Sequence, residues 1–437
     1  MGNNLNISEI DLLSSLARVQ VPWVKVTIGD VYTFGVFDSQ TRALVSGESK
    51  IYTKAFDVDY PNYIQSLRIT KVNGQINRYT LAISYPVTQF DDPNFFEKVF
   101  SKASGGRKIV FSYGDISQPG FIYREEEAII TKITEGFALE ASRIDYTIEA
   151  VTSASLSTTG SNSYTSPGKA VKPSDEIKKI FKEDKSLQKL FSGMSCSDLD
   201  KFIDGNDKEV EIVSKENISV LDYILYLVEC MQPADTEEGA LTANYILTIH
   251  DNTANSNDAK PSGVGSLSGP FFKVTRIEKD VKQGDAYTIT VGYNTSTIVT
   301  AFSLENNENY ALYYNYQDEL QPKKYVRRLD NQGNWIDEYA PMVTTNTKTR
   351  KSTASDENWW NLITSYPINA SITIMGLLRP ATLMQYVRLN VVFPGGHKHI
   401  SSGLYLVTKQ EDILESSGYK TTLGLTRLNG DEEGPNY

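Results

Sequence analysis

Two runs of alternating side chains, residues 64–72 and 75–85, meet at an Asn73-Gly74 pair, and this pattern commits the stretch to an antiparallel hairpin. A period of two sends every second side chain to the same face of a strand. Asn-Gly tolerates the positive φ that a type I′ turn demands at both central positions. The alternation returns in residues 419–426, where Tyr419, Thr421, Leu423 and Leu425 share one face and Lys420, Thr422, Gly424 and Thr426 the other. Residues 403–408 supply a strand before it, and the polar stretch 411–418 reads as a charged connection between the two. Further strand-like runs lie at 21–37, 108–113, 128–133, 143–151, 272–279, 285–292, 370–378 and 386–393. With 26 Tyr against 6 Met, composition also favours strands over helix bundles. The expected fold is mainly β with a smaller α part, an α+β chain.

Helical signals are confined to short stretches. In residues 92–104 Asp92 caps, Pro93 suits the first helical position, and Phe95, Phe96, Val99 and Phe100 share a face. Residues 152–174 carry Ser, Thr, Gly and Pro with almost nothing to bury, which predicts a flexible connection and a domain boundary. Beyond it Ser174 opens a helix in which Ile177, Ile180, Phe181, Leu187, Leu190 and Phe191 recur at helical spacing. Another begins at Ser219, with Asp222 three residues on as a capping partner, and Pro233 forbids its continuation. Polar loops are expected at 251–269 and 344–358, and a disordered tail at 431–437. The resulting division is an N-terminal β domain (1–155), a linker (156–173), a helical middle domain (174–235), a mixed β domain with polar loops (236–365) and the C-terminal strands of a second β domain (366–437).

Several function classes fit poorly. A net charge of −11 argues against wrapping nucleic acid by phosphate neutralisation. The two cysteines, Cys196 and Cys230, imply no disulfide framework; the sequence leaves a single bridge between them open and favours two structural thiols. No apolar run approaches the roughly 20 residues of a membrane span, and the first residues match neither a secretion signal nor a myristoylation motif. Of three histidines, His397 and His399 flank Lys398 after a Gly-Gly turn with no carboxylate to complete a metal site. The carboxylate clusters at 124–128 and 409–415 could serve a glycosidase, but charge runs of this kind read as solvated turns. No phosphate-cradling Gly-rich loop is present. The expectation is therefore no catalytic residue, no metal and no cofactor. Aromatic residues instead suggest protein interfaces, with Tyr313, Tyr314, Tyr316, Trp359, Trp360, Tyr405 and Tyr419 as candidates.

A faint repeat runs through the two ends of the chain. Residues 105–115 resemble 385–396, the strand from Glu127 resembles that from Gly403, and the strand from Ser142 resembles that from Tyr419, in the same order with turns between. The C-terminal segment 402–428 and the helix at 218–233 resemble the baseplate or tail-tip hub proteins of tailed bacteriophages, relatives of the hub portion of type VI secretion spike proteins. That resemblance implies two tube-like barrels per chain, one at each end with a helical and mixed region inserted, in a homotrimer that adapts a sixfold tail tube to a threefold spike. The partners implied are the tube protein, a spike or central fibre and other baseplate proteins. DNA would pass through the lumen without specific binding, with no stable membrane insertion, in a virion tail tip assembled in the host cytoplasm. The alternatives are the hub of a related contractile injection particle, a tail-associated cell-wall hydrolase, or a carbohydrate-binding tail protein that stacks sugars on Trp359 and Trp360.

Overall fold

The computed structural model describes residues 22–28, 32–36, 64–86, 108–115, 123–138, 143–235, 245–251, 269–277, 281, 286–292, 299–306, 325–329, 335–339, 368–375, 383–393, 398–399, 401–415 and 417–430. Along the chain come β1 (Pro22–Ile28), β2 (Tyr32–Val36), β3 (Ile64–Val72), β4 (Arg78–Pro86), β5 (Lys108–Asp115), β6 (Tyr123–Ala138), β7 (Arg143–Thr152) and β8 (Asn162–Tyr164). Then follow α1 (Pro173–Glu183), α2 (Lys185–Leu190), β9 (Lys215–Ile218), α3 (Val220–Cys230), β10 (Tyr245–His250) and β11 (Phe271–Arg276). The remainder is β12 (Tyr287–Gly292), β13 (Val299–Asn306), β14 (Tyr325–Leu329), β15 (Trp335–Tyr339), β16 (Ile368–Met375), β17 (Tyr386–Val392), β18 (Gly403–Glu415) and β19 (Gly418–Gly430). The chain is mainly β, as expected. The helix expected at 92–104 lies outside the described residues.

Thirteen strands form one sheet, and its order reveals a repeat. One run reads β3-β4-β7-β6-β5-β1, the other β13-β16-β19-β18-β17-β12. Each contains a three-strand antiparallel meander, β5-β6-β7 or β17-β18-β19, with the preceding strand, β4 or β16, added beside its last member. The runs differ at one end, where β1 meets β5 antiparallel but β12 meets β17 in parallel. A shared irregularity sharpens the likeness. The ladder slips at Thr131 in β6 and at Thr408 in β18, each inside an apolar-Thr-Lys triplet. In both bulges the threonine hydroxyl donates to a carbonyl of the neighbouring strand, Glu149 at 3.1 Å and Gly424 at 3.3 Å. A bulge bends its strand and increases local twist, so each run curls at the same place.

Both runs curl until their ends draw near each other. β2 approaches β3 and β1 approaches β18, while β12 approaches β13. Strand pairing bridges none of these gaps among the described residues, so two open, curled halves stand where two closed barrels were expected. Each half wraps its own core. Val24, Val26, Leu67, Ile69, Leu81, Phe111 and Ile148 fill the first, completed by Leu414 and Tyr419 from the β18–β19 hairpin. Ile289, Ile372, Ile374, Leu389, Val407, Leu423 and Leu425 fill the second. β18 joins the halves: its residues 403–406 pair with β17, and its residues 409–415 pair with β3.

Three local expectations are corrected. The stretch 411–418 is not a connection: β18 runs on to Glu415, because Gln410, Asp412 and Leu414 alternate inward and the two polar side chains find partners there. The Asn73-Gly74 turn is not type I′. Only Gly74 has positive φ, at 71°, and the Gln75 amide bonds the Val72 carbonyl at 3.1 Å, which is the pattern of a type II turn with glycine third. Tertiary contacts select it: the Asn73 amide donates to Thr408 and the Gly74 amide to Leu247. The polar connection at 152–174 is stapled down rather than loose. Thr152, Ala154 and Ser157 are buried in or beside a 3-10 turn, β8 pairs with β9, and Val171 bridges Val210.

The helices belong to a third core. Ile177, Phe181, Leu187 and Phe191 pack with Leu221, Ile224, Leu227, Leu247, Ile249 and Phe272, so β10 and β11 share the helical core and the interior does not break at residue 235. One helix was expected from Ser174 to Phe191. Two form, because the Asp184 side chain accepts the amides of Ser186 and Leu187 and starts α2 afresh. α3 begins as expected, with Ser219 accepting the Asp222 amide at 3.1 Å. Cys196 and Cys230 are free thiols.

Candidate functional site

The candidate interface residues divide sharply. Tyr313, Tyr314, Tyr316, Trp359 and Trp360 lie outside the described residues. Tyr405 and Tyr419 are 0% exposed and belong to the chain's own interior. The Tyr405 hydroxyl donates to the Ser401 carbonyl at 2.6 Å and that of Tyr419 to the Asp412 carboxylate at 3.1 Å. These two are corrected to core residues, since inward alternation turns both from the surface. What the strands do offer outside is edges. β2, β12 and β13 end the branched sheet with one side unpaired among the described strands, and β13 exposes Leu304. Such edges are templates for pairing with another chain. Phe393, just after β17, is 49% exposed and packs its ring against His399.

The charged clusters read from sequence as solvated turns are also corrected, because both lie on strands. In β6 Arg124 and Glu126 point inward while Glu125 and Glu127 point away, and in β18 Asp412 points inward while Glu411 pairs with Arg68. Together with Lys71 from β3 they place charge inside the first curled half. Lys71 pairs with Glu126, which also accepts the Tyr79 hydroxyl at 2.8 Å and the Tyr113 hydroxyl at 3.1 Å. Arg124 stands 3.8 Å from Asp412, and Asp412 accepts from Thr421 at 2.6 Å and from Gln410. Asp251, just past β10, enters from the helical module. It accepts from Asn77 at 2.7 Å and from Thr152, lies 3.0 Å from the Tyr79 hydroxyl, and its carbonyl receives the Glu127 amide at 3.2 Å.

The electrostatics follow from burial and neighbours. Burial would raise Glu126, but Lys71 and Arg124 outweigh it and hold the carboxyl below the usual range. Asp412 is raised, burial prevailing over Arg124. Asp251 is pushed up to about 6, chiefly by burial. Burial and nearby carboxylates drive Tyr79 and Tyr419 well above the ordinary phenol value, and burial with Glu126 does the same to Tyr113. His250, stacked on Phe271 with centroids 4.7 Å apart, is lowered to about 3 by burial. Glu126, Asp251 and Asp412 are 0% exposed, so in this conformation no substrate reaches their oxygens. The arrangement orders strands and ties two modules together.

The remaining chemistry is sparse. Among the described residues no group of three or more His, Cys, Asp or Glu is placed to hold a metal. His399 meets Ser401 at 2.6 Å within a local turn. No helix of the described residues is long and apolar enough to cross a membrane. Sequence reasoning missed the buried network. Its available signal was charges spaced by two, Arg124 and Glu126, on a strand whose ends were drawn too short.

No family model and no curated protein matches the sequence. Solved structures similar to the chain include a 43 kDa tail protein of the prophage MuSo2 from Shewanella oneidensis, 9% identical with a TM-score of 0.47, covering 93% of this chain and 98% of that one. A tail protein from Neisseria meningitidis is 11% identical with a TM-score of 0.47, covering 93% and 97%. The Francisella PdpA-VgrG complex in its lidded form contains a chain that is 11% identical with a TM-score of 0.49, covering 97% of this chain and 54% of that one.

Proposed function

We propose that the chain is the structural hub of a bacteriophage tail baseplate or tail tip, a homotrimer carrying two similar barrels per chain. The observation that supports this most is the internal repeat: two six-strand runs in the same order, with the same threonine bulge in the corresponding strand. An interface recurs only as often as its symmetry operator. Three chains with two like surfaces each would offer six contacts to a sixfold tail tube and three to a spike or central fibre, with other baseplate proteins around the rim. In this reading the open gaps of the two halves are completed by loops or by neighbouring subunits, and the aromatic segments of Tyr313, Tyr314, Tyr316, Trp359 and Trp360 face partners. The net charge of −11 suits a lumen through which DNA slides without being held. The role is assembly and gating, not turnover, in a virion particle put together in the host cytoplasm. The first barrel would comprise strands of residues 1–155, and the second the strands from 366 onward together with β12 and β13.

The test is the mass of the purified protein by light scattering after gel filtration across a concentration series, followed by electron microscopy of the main species. A stable trimer with six similar lobes around a channel is expected. A monomer at every concentration, with or without the tube protein, overturns the reading.

A further inference from the structure

Five buried Lys, Arg, Asp and Glu side chains gather where the helical module joins the first curled half. Lys71 and Arg124 are the cations; Glu126, Asp412 and Asp251 are the carboxyls. Two positive charges balance two negative ones, which leaves one carboxyl in excess. Hydrogen-bond geometry identifies which. The Tyr79 hydroxyl lies 2.8 Å from a Glu126 oxygen and 3.0 Å from an Asp251 oxygen, yet it carries a single hydrogen. If that hydrogen goes to Glu126, whose charge Lys71 and Arg124 stabilise, the contact with Asp251 needs a hydrogen of its own. A neutral Asp251 provides it, donating to Tyr79 while accepting from Asn77. An ionised Asp251 would set a second carboxylate against the lone pairs of the phenol.

We propose that Asp251 carries a proton in the folded protein and that this proton, shared along the line Asp251–Tyr79–Glu126, is a latch between the helical module and the first β half. The strands it joins are far apart in sequence: Asp251 follows β10, Tyr79 lies on β4, and Glu126 lies on β6. The same junction is closed by the Gly74 amide on the Leu247 carbonyl and the Glu127 amide on that of Asp251. The ionisable groups that face Asp251 are Lys71 on β3, Tyr79 on β4 and Glu126 on β6. Behind them the cluster continues through Tyr113 on β5, Arg124 on β6, Asp412 on β18 and Tyr419 on β19, while His250, the residue before Asp251, faces Lys71, Arg124 and Lys273 of β11. Burial of Asp251 pushes its carboxyl up to about 6, consistent with the bonding. This latch stands on side-chain geometry alone and does not depend on the tail-hub reading.

The test compares wild type with Asp251→Asn, which keeps the shape without an ionisable proton. Amide hydrogen exchange at Gly74 and Glu127 is followed from pH 4 to 7, after correction for intrinsic exchange. Opening releases the latch proton, so the ratio of opening constants, wild type over variant, rises about tenfold per pH unit up to the Asp251 midpoint and then levels. His250 acts in the opposite direction in both proteins and cancels in the ratio. A ratio independent of pH overturns the proposal. Infrared difference spectra of the wild type give a second readout, the carbonyl band of a protonated buried acid that fades as pH rises. Tyr79→Phe, which keeps the ring and deletes the shared hydroxyl, shifts the fading of that band to lower pH. An unshifted band overturns the proposal even if Asp251→Asn fails to fold.

Discussion

Replacing Lys71 by Met removes the ammonium but keeps most of the stem that lies against the first core. Lys71 is 6% exposed and Glu126 is 0% exposed, so the pair sits where water offers neither partner a substitute. Removing one member of a buried pair typically costs about 3–5 kcal/mol, because the survivor is left as an uncompensated charge. Glu126 would keep the hydroxyls of Tyr79 and Tyr113 and the field of Arg124, which places Lys71→Met near the lower figure. Glu126→Gln belongs nearer the upper one, since it strands the ammonium and turns one of the two oxygens that accept from Tyr79 and Tyr113 into a donor. The double variant Lys71→Met/Glu126→Gln removes both charges and should recover at least about 1 kcal/mol relative to the sum of the singles. Urea unfolding followed by hydrogen exchange in peptides from β3 and β6 reports on the half that holds the pair. Single losses below about 1 kcal/mol, the range of exposed ion pairs, would refute the placement of these charges. So would strict additivity in the double variant.

Other consequences are simpler to check. Ser219→Ala removes the cap that accepts the Asp222 amide and should cost about 1 kcal/mol, seen as a lower unfolding midpoint of the helical module by circular dichroism. Gly74→Val forces a branched side chain into φ of 71°, with Leu225 3.1 Å from the new Cβ; faster exchange at the Gly74 amide and a loss of about 1–3 kcal/mol are expected. His250 is neutral when folded, with its value lowered to about 3, so its contribution is complete above the ordinary histidine range and disappears as pH falls from about 6.5 toward 3. His250→Gln should therefore flatten the acid limb of a stability profile measured by chemical denaturation.

Where one physical rule decides a segment, sequence spacing located it. Tyr419, Thr421, Leu423 and Leu425 are buried at every second position because nothing competes with the apolar alternation there. Ser219 caps α3 because its partner is only three residues away. The failures share a cause, which is that the deciding contact is distant in sequence. Asp412 extends β18 because Thr421 and Arg124 await it inside, and no local pattern announces that. The Asn73-Gly74 turn takes its geometry from Leu247 and Thr408. Of the candidate site, the repeat was visible as an order of strands, and the threonine bulge refined its register. The charged interior was hidden because charge ordinarily marks surface.

The double allegiance of β18 has a consequence for how the chain is made. β3 needs residues 409–415 as its second neighbour, yet most of the chain separates the two. At ribosomal speeds of about 5–20 residues per second, β3 emerges and then waits on the order of tens of seconds for its partner. Leu414 and Tyr419, which complete the first core, arrive equally late. During that interval the half translated earlier has a bare strand edge and an unsealed interior, and two nascent chains on one message could trade edges. Both cores draw on β18 and β19, so neither half can be complete before that hairpin has been made.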